Sequence, residues 1–93
     1  MHDLTQVLRD ANAASIEFLN VEADTGLMFA EIARGSEKGA KADRNRAHAR
    51  TAYDTVLRFI GRVSLTDAES ESLGVKMARL KLGLQKLGES FGL

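Results

Sequence analysis

The chain has 93 residues, with 13 Lys and Arg balanced by 13 Asp and Glu, and contains neither cysteine nor proline. Zero net charge argues against a general polyanion binder, and the lack of thiols excludes disulfides, thiolate metal sites and cysteine nucleophiles. Only Phe18, Phe29, Tyr53, Phe59 and Phe91 supply aromatic bulk. With strong helix formers throughout and no strand-like alternation, residues 1–93 read as a single all-α domain with an aliphatic core.

Residues Met1 to Ala11 place Leu4, Val7, Leu8 and Ala11 at helical spacing. Two readings stand here. Either Asp10 or Asn12 caps a new helix, leaving residues 1–11 as a flexible end or a short additional N-terminal helix. Or one helix of about 30 residues runs through, about 45 Å long, and overhangs its shorter neighbours. An apolar overhang needs a cover, which a second protomer would provide.

From Ala13 to Arg34 the helix is apolar on two sides. One stripe, Ile16, Leu19, Ala23, Gly26, Leu27, Ala30 and Ala33, is mostly small and suits close helix approach. The other, Phe18, Val21, Thr25, Met28, Phe29 and Ile32, is bulky. A narrow polar strip of Glu17, Asn20, Asp24 and Glu31 separates them. A helix this apolar is a buried helix, yet two partner helices cannot surround it in so small a bundle. The surplus stripe must therefore meet the N-terminal segment or another molecule.

Gly35 reads as the glycine that ends this helix, and GSEKGAKADRN as a polar connection. Its GSEKGAK is a chance likeness to a phosphate loop, one residue short and lacking the following hydroxyl residue. Asp43 or Asn45 is the expected cap of the next helix, placed at Arg44 to Val63. There Ala49, Ala52, Tyr53, Val56, Phe59, Ile60 and Val63 share one broad face, with Leu57 at its edge. That width suggests contact with two neighbours, so this segment is expected to be the central helix. Asp54, Arg58 and Arg62 lie on the opposite side.

Thr66 followed by Glu69 is a capping box, and Asp67, Glu69 and Glu71 suit a helix N-terminus. Leu73, Met77, Leu80, Leu84 and Leu87 then form a seam that Phe91 extends. Val75, Ala78 and Leu82 make a second, thinner stripe on the far side. Gly74, Gly83 and Gly88 each weaken the helix by about 1 kcal/mol relative to alanine, unless they permit a close crossing.

Little in this pattern points to catalysis. His48 has no carboxylate one turn away, so it reads as a solvated histidine rather than a metal ligand. Tyr53 reads as a packed ring. Glu17, Asp24 and Glu31 repeat every seven residues, but no Glu-x-x-His accompanies them, as a di-metal bundle would require. The expectation is no enzyme, no cofactor and no metal. The start of the chain lacks a leader-like basic and apolar run, and no stretch is long enough to span a bilayer, so a cytoplasmic protein is expected.

Charge is unevenly spread. Residues 17–31 carry only acids, whereas Arg34, Lys38, Lys41, Arg44, Arg46 and Arg50 follow against Glu37 and Asp43. Cations near a helix start oppose its dipole, so acids of the first or third helix should pair with them. A phosphate backbone would serve too, which makes Lys38, Lys41, Arg44, Arg46 and Arg50 the candidates for an alternative, nucleic-acid-binding role.

GLMFAEIA and ARTAYDTVLRFI are similar to the paired helices of a tetratricopeptide-type hairpin, and ESLGVKMARLKLGLQKLGES to an added closing helix. The combination resembles microtubule-interacting-and-transport (MIT) domains over about Ala23 to Ser90. That resemblance implies a three-helix antiparallel bundle that binds amphipathic helices in its grooves. The expected function is a protein–protein interaction module, self-associating as a homodimer or binding a partner helix. Phe18, Val21, Met28, Phe29, Ile32, Val75, Ala78 and Leu82 are the candidate contact residues.

Overall fold

The computed structural model describes residues 3–92, so Met1 and His2, at the tip of the expected arm, lie outside the described residues. Three helices follow one another: α1 (Leu4–Gly35), α2 (Ala40–Ile60) and α3 (Asp67–Lys86). They pack as an antiparallel bundle, elongated to 55 × 26 × 19 Å. Its length comes from α1, whose 32 residues reach about 48 Å at 1.5 Å per residue.

Of the two readings of the N-terminus, the continuous helix is the one adopted. Asp3 caps it, its carboxylate accepting from the Gln6 N–H at 2.8 Å. Asp10 instead accepts from the Gln6 side chain at 2.9 Å, one turn along the helix surface. Asn12 looks outward to the α2–α3 connection: its amide donates to the Ser64 carbonyl (3.0 Å) and its oxygen accepts from the Ser64 N–H (2.8 Å). A side chain occupied in this way is not available to cap a new helix.

The expected glycine stop at Gly35 is corrected. Gly35 is the last helical residue, and only Gly39, Gly88 and Gly92 have positive φ among the described residues. Ser36 closes the turn instead, its hydroxyl donating to the Ile32 carbonyl (2.7 Å) and its N–H to that of Ala33 (3.4 Å). α2 then begins at Ala40, four residues before the expected Arg44, with Gly39 (φ 149°) as a cap without a side chain. Neither Asp43 nor Asn45 caps it. Asp43 sits in the first turn, favourable to the dipole, and Asn45 donates to the Lys41 carbonyl at 2.9 Å. Arg44 and Arg46 thus lie a turn further in than expected, where the dipole opposes them less. Val63 falls beyond the helix, in the turn after Ile60.

The ends of α3 follow local chemistry. Both hydrogen bonds of the Thr66–Glu69 capping box are present, at 2.9 and 3.1 Å. Gly88 is not inside the helix but just past it, at φ 96°. The Glu89 N–H donates to the Leu84 carbonyl and the Gly88 N–H to that of Gln85, both at 3.0 Å, which is a Schellman closure. It turns residues 89–92 back along α2.

The core is built where the small stripe of α1 meets the other helices. Leu19, Ala23, Gly26, Ala30 and Ala33 are buried, opposite Ala49, Ala52, Tyr53 and Val56 of α2 and Leu73, Met77, Leu80 and Leu84 of α3. Burying each of the large aliphatic chains stabilises the fold by roughly 1.5–3 kcal/mol. Gly26 marks the tightest approach: a Cβ there would lie 2.7 Å from Leu80 Cδ2 and 3.0 Å from Ala52 Cβ. Gly83 allows an ordinary contact with Ala30, and Gly74 faces open space. α1, rather than α2, is the element that packs on both others, since α2 and α3 touch each other only lightly. The small residues explain it: they let α1 lie in the groove between its two neighbours and face both.

Candidate interaction surface

Burying the small stripe against α2 and α3 leaves the bulky stripe of α1 facing outward. Val21 is 54% exposed and Met28 51%, with Phe18 and Ile32 also exposed. Phe29 is the exception and corrects the expectation: it is half-buried against the core, its ring 5.0 Å from that of His48. At 20° of helix rotation from Phe18 it leans toward α2, and the exposed His48 imidazole covers it. Phe18 similarly meets Phe59 edge-on at 6.3 Å, and Arg62 lies 5.3 Å over Phe59. A cleft of about 300 Å³ opens here between α1 and α2, lined by Ser15, Phe18, Phe59, Arg62 and Val63.

Because α1 is unbroken, its outer stripe does not stop at Phe18. It continues through Ala14, Ala11, Val7 and Leu4, all exposed, to the tip of the helix. The spacing alternates three and four residues without a slip from Leu4 to Ile32. In heptad terms Leu4, Ala11, Phe18, Thr25 and Ile32 occupy a, and Val7, Ala14, Val21 and Met28 occupy d. Reading the N-terminal segment apart from the rest of the helix hides this seam. The repeat itself was the available signal. Beyond Asn12 neither neighbouring helix accompanies α1, and Leu4 is 73% exposed.

Charged residues border the seam on both sides. Asp3, Asp10, Glu17, Asp24 and Glu31 follow one another every seven residues along its α3 side. Within this row only Asp24 has an ion-pair partner among the described residues, Lys76 of α3, whose Nζ lies 3.0 Å from its carboxylate and also donates to Asn20 Oδ1 at 3.1 Å. Along the α2 side stand Arg62 and His48, with Arg44 one turn before His48. The α3 bank is therefore an unbroken row of acids, whereas the α2 bank is mixed, with Arg62 and Arg44 beside the single acid Glu22.

The second candidate stripe is smaller. Val75, Ala78 and Leu82 of α3 are exposed, but they span two turns only, with Glu71 one turn before Val75 and Arg79 one turn after it.

The basic candidates divide. Arg46 pairs with Asp43 (3.6 Å) and with Glu89 (3.4 Å), and its guanidinium donates to the Leu87 carbonyl at 3.3 Å. Arg50 pairs with Asp54 (3.1 Å) and Glu89 (3.5 Å), donates to the Ser90 carbonyl at 2.7 Å, and lies 4.2 Å over the Phe91 ring. The acid that answers both arginines belongs to the tail after α3, not to α1 or to α3 itself. Phe91 packs edge-on against Tyr53 at 4.9 Å, so it joins the core from this tail rather than by extending the α3 seam. Lys38, Lys41 and Arg44 are exposed and make no ion pair among the described residues.

Among the described residues no three potential metal ligands converge, and no helix is long and apolar enough to cross a membrane. Comparison with protein-family models, with curated proteins and with solved structures finds no match to this chain. What it presents chemically is a long apolar helix face.

Proposed function

We propose that this protein is a non-enzymatic helical interaction module whose contact surface is the outer face of α1. One observation carries the reading: nine a and d positions in a row, Leu4 to Ile32, present apolar side chains or threonine, and all but Thr25 are exposed. Isolated surface leucines are ordinary, but a contiguous apolar strip along a whole helix is what a partner covers. Phe18 and Val21 sit at its centre, where burial away from water contributes most to affinity. MIT-like groove binding is a weaker fit, because the groove between α1 and α3, a cavity of about 350 Å³, is bordered by Glu31, Arg34, Arg79 and Lys86 rather than by a continuous apolar strip.

The nucleic-acid alternative has no specific observation in its favour. Two of its five residues, Arg46 and Arg50, are engaged by Glu89 and the tail carbonyls. The three left form no aromatic-bordered groove that would hold a strand.

A photo-cross-linking residue at Val21, compared with one at Arg58 on the far side of α2, tests the module reading in the living cell. Protein adducts at position 21 and none at 58 are expected. Equal labelling at both positions, or none at 21, would overturn it.

A further inference from the structure

We infer that the occupant of the α1 seam is a second copy of this chain, aligned parallel and in register. This rests on the module reading above and adds the partner and its orientation. The seam supplies the contact: in a parallel pair each a residue meets its own copy, as does each d residue, along four heptads. The strict seven-residue repeat drifts about 20° per heptad on a straight helix, so two such faces stay in contact by winding left-handedly.

Charge selects both the partner and its direction. If two α1 helices ran antiparallel, the row Asp10, Glu17, Asp24 and Glu31 would face the same row of the other copy, acid against acid at every position. The banks carrying Arg62 and His48 would likewise face each other. A parallel pair exchanges the banks. Each g position then faces the e position five residues on in the other copy. Asp10 meets Ser15, beside which Arg62 stands in the α1–α2 cleft. Asp24 meets the Phe29 ring, packed on that of His48, rather than another acid. Glu17 opposite Glu22 is the one like-charge pair, against acid facing acid at all four positions of the row in the antiparallel pair. Opposite charge steers and orients such a contact, while the apolar layers hold it.

The parallel arrangement also covers the overhang. Leu4 and Val7, both exposed, meet their own counterparts near the tip of the paired helices.

The chain has no cysteine, so single cysteines report the geometry directly. The expected results are a sedimentation mass twice that of the chain in the micromolar range, and a disulfide-linked dimer of Met28→Cys under mild oxidation. Arg58→Cys, on the far side of α2, should not link. Val21→Glu, at an exposed position, should keep the helical circular dichroism and return the mass to that of one chain. In an antiparallel pair two copies of position 28 would lie more than about 20 Å apart. Linking that appears only when Val7→Cys and Met28→Cys are mixed therefore overturns the parallel alignment. A wild-type protein that stays monomeric across this range overturns self-association. Adducts to a foreign protein at Val21 would in that case leave the module reading standing. A dimer indifferent to Val21→Glu overturns both readings, since the seam is then not the contact.

Discussion

The Asn12 side chain and the Ser64 backbone bond each other reciprocally, one bond donated at 3.0 Å and one accepted at 2.8 Å across 52 residues of sequence. This pair fixes the α2–α3 turn to the flank of α1 and marks the point beyond which α1 projects alone. Each such bond contributes about 0.5–1.5 kcal/mol net. Asn12→Ala should therefore lower stability by about 1–2 kcal/mol, read as a reduced urea midpoint at constant slope. Asn12→Asp keeps the acceptor but sets a carboxylate against the Ser64 carbonyl, and should cost at least as much. An unchanged midpoint in both would show that the turn is held otherwise.

Gly26 and Gly74 should respond to alanine in opposite directions. Each gains up to about 1 kcal/mol of helix propensity from the change. At Gly74 a methyl meets open space, so Gly74→Ala should raise the thermal midpoint. At Gly26 it meets Leu80, itself fully buried, and an Ala52 methyl that no rotamer can move. Overpacking of this kind costs about 1–3 kcal/mol, which outweighs propensity. Thermal melts of the two variants side by side decide it; a stabilised Gly26→Ala would mean that the helices separate easily there.

The tail after α3 should behave as part of the core. Phe91→Ala removes an edge-on contact with Tyr53 and the ring beneath Arg50, a loss of about 1–2 kcal/mol. Tyr53 is the only tyrosine and there is no tryptophan, so its near-ultraviolet circular dichroism reports this contact alone among tyrosine contacts. Glu89→Gln should cost less, under about 1 kcal/mol, because its partners Arg46 and Arg50 remain partly solvated. That smaller loss should shrink further in molar salt, whereas the Phe91 loss should not.

The two ends of α3 offer a matched pair. Thr66→Ala removes the hydroxyl that accepts from the Glu69 N–H and should cost about 1 kcal/mol. Gly88→Ala forces a side chain into φ 96° and should cost about 1–2 kcal/mol. It should also loosen the tail, so the Tyr53 signal should fall with Gly88→Ala and stay intact with Thr66→Ala. Equal effects on that signal would mean that the closure at Gly88 does not aim the tail.

The sequence by itself determined what depends on neighbours three or four residues apart. The all-α class, the α3 seam from Leu73 to Leu84, the Thr66–Glu69 box and the burial of Ala23, Gly26 and Ala30 all follow from helical spacing and local hydrogen bonds. Tertiary structure decided what depends on distant partners. Asn12 is a good cap in isolation, but Ser64 takes its amide and α1 runs on. Arg46 and Arg50 needed an acid, and a glycine turn at Gly88 delivered Glu89, about 40 residues away. Packing likewise decided which member of the bulky α1 stripe turns inward: Phe29 leans onto α2 and is covered by His48, while Val21 and Met28, on the same stripe, are left in water.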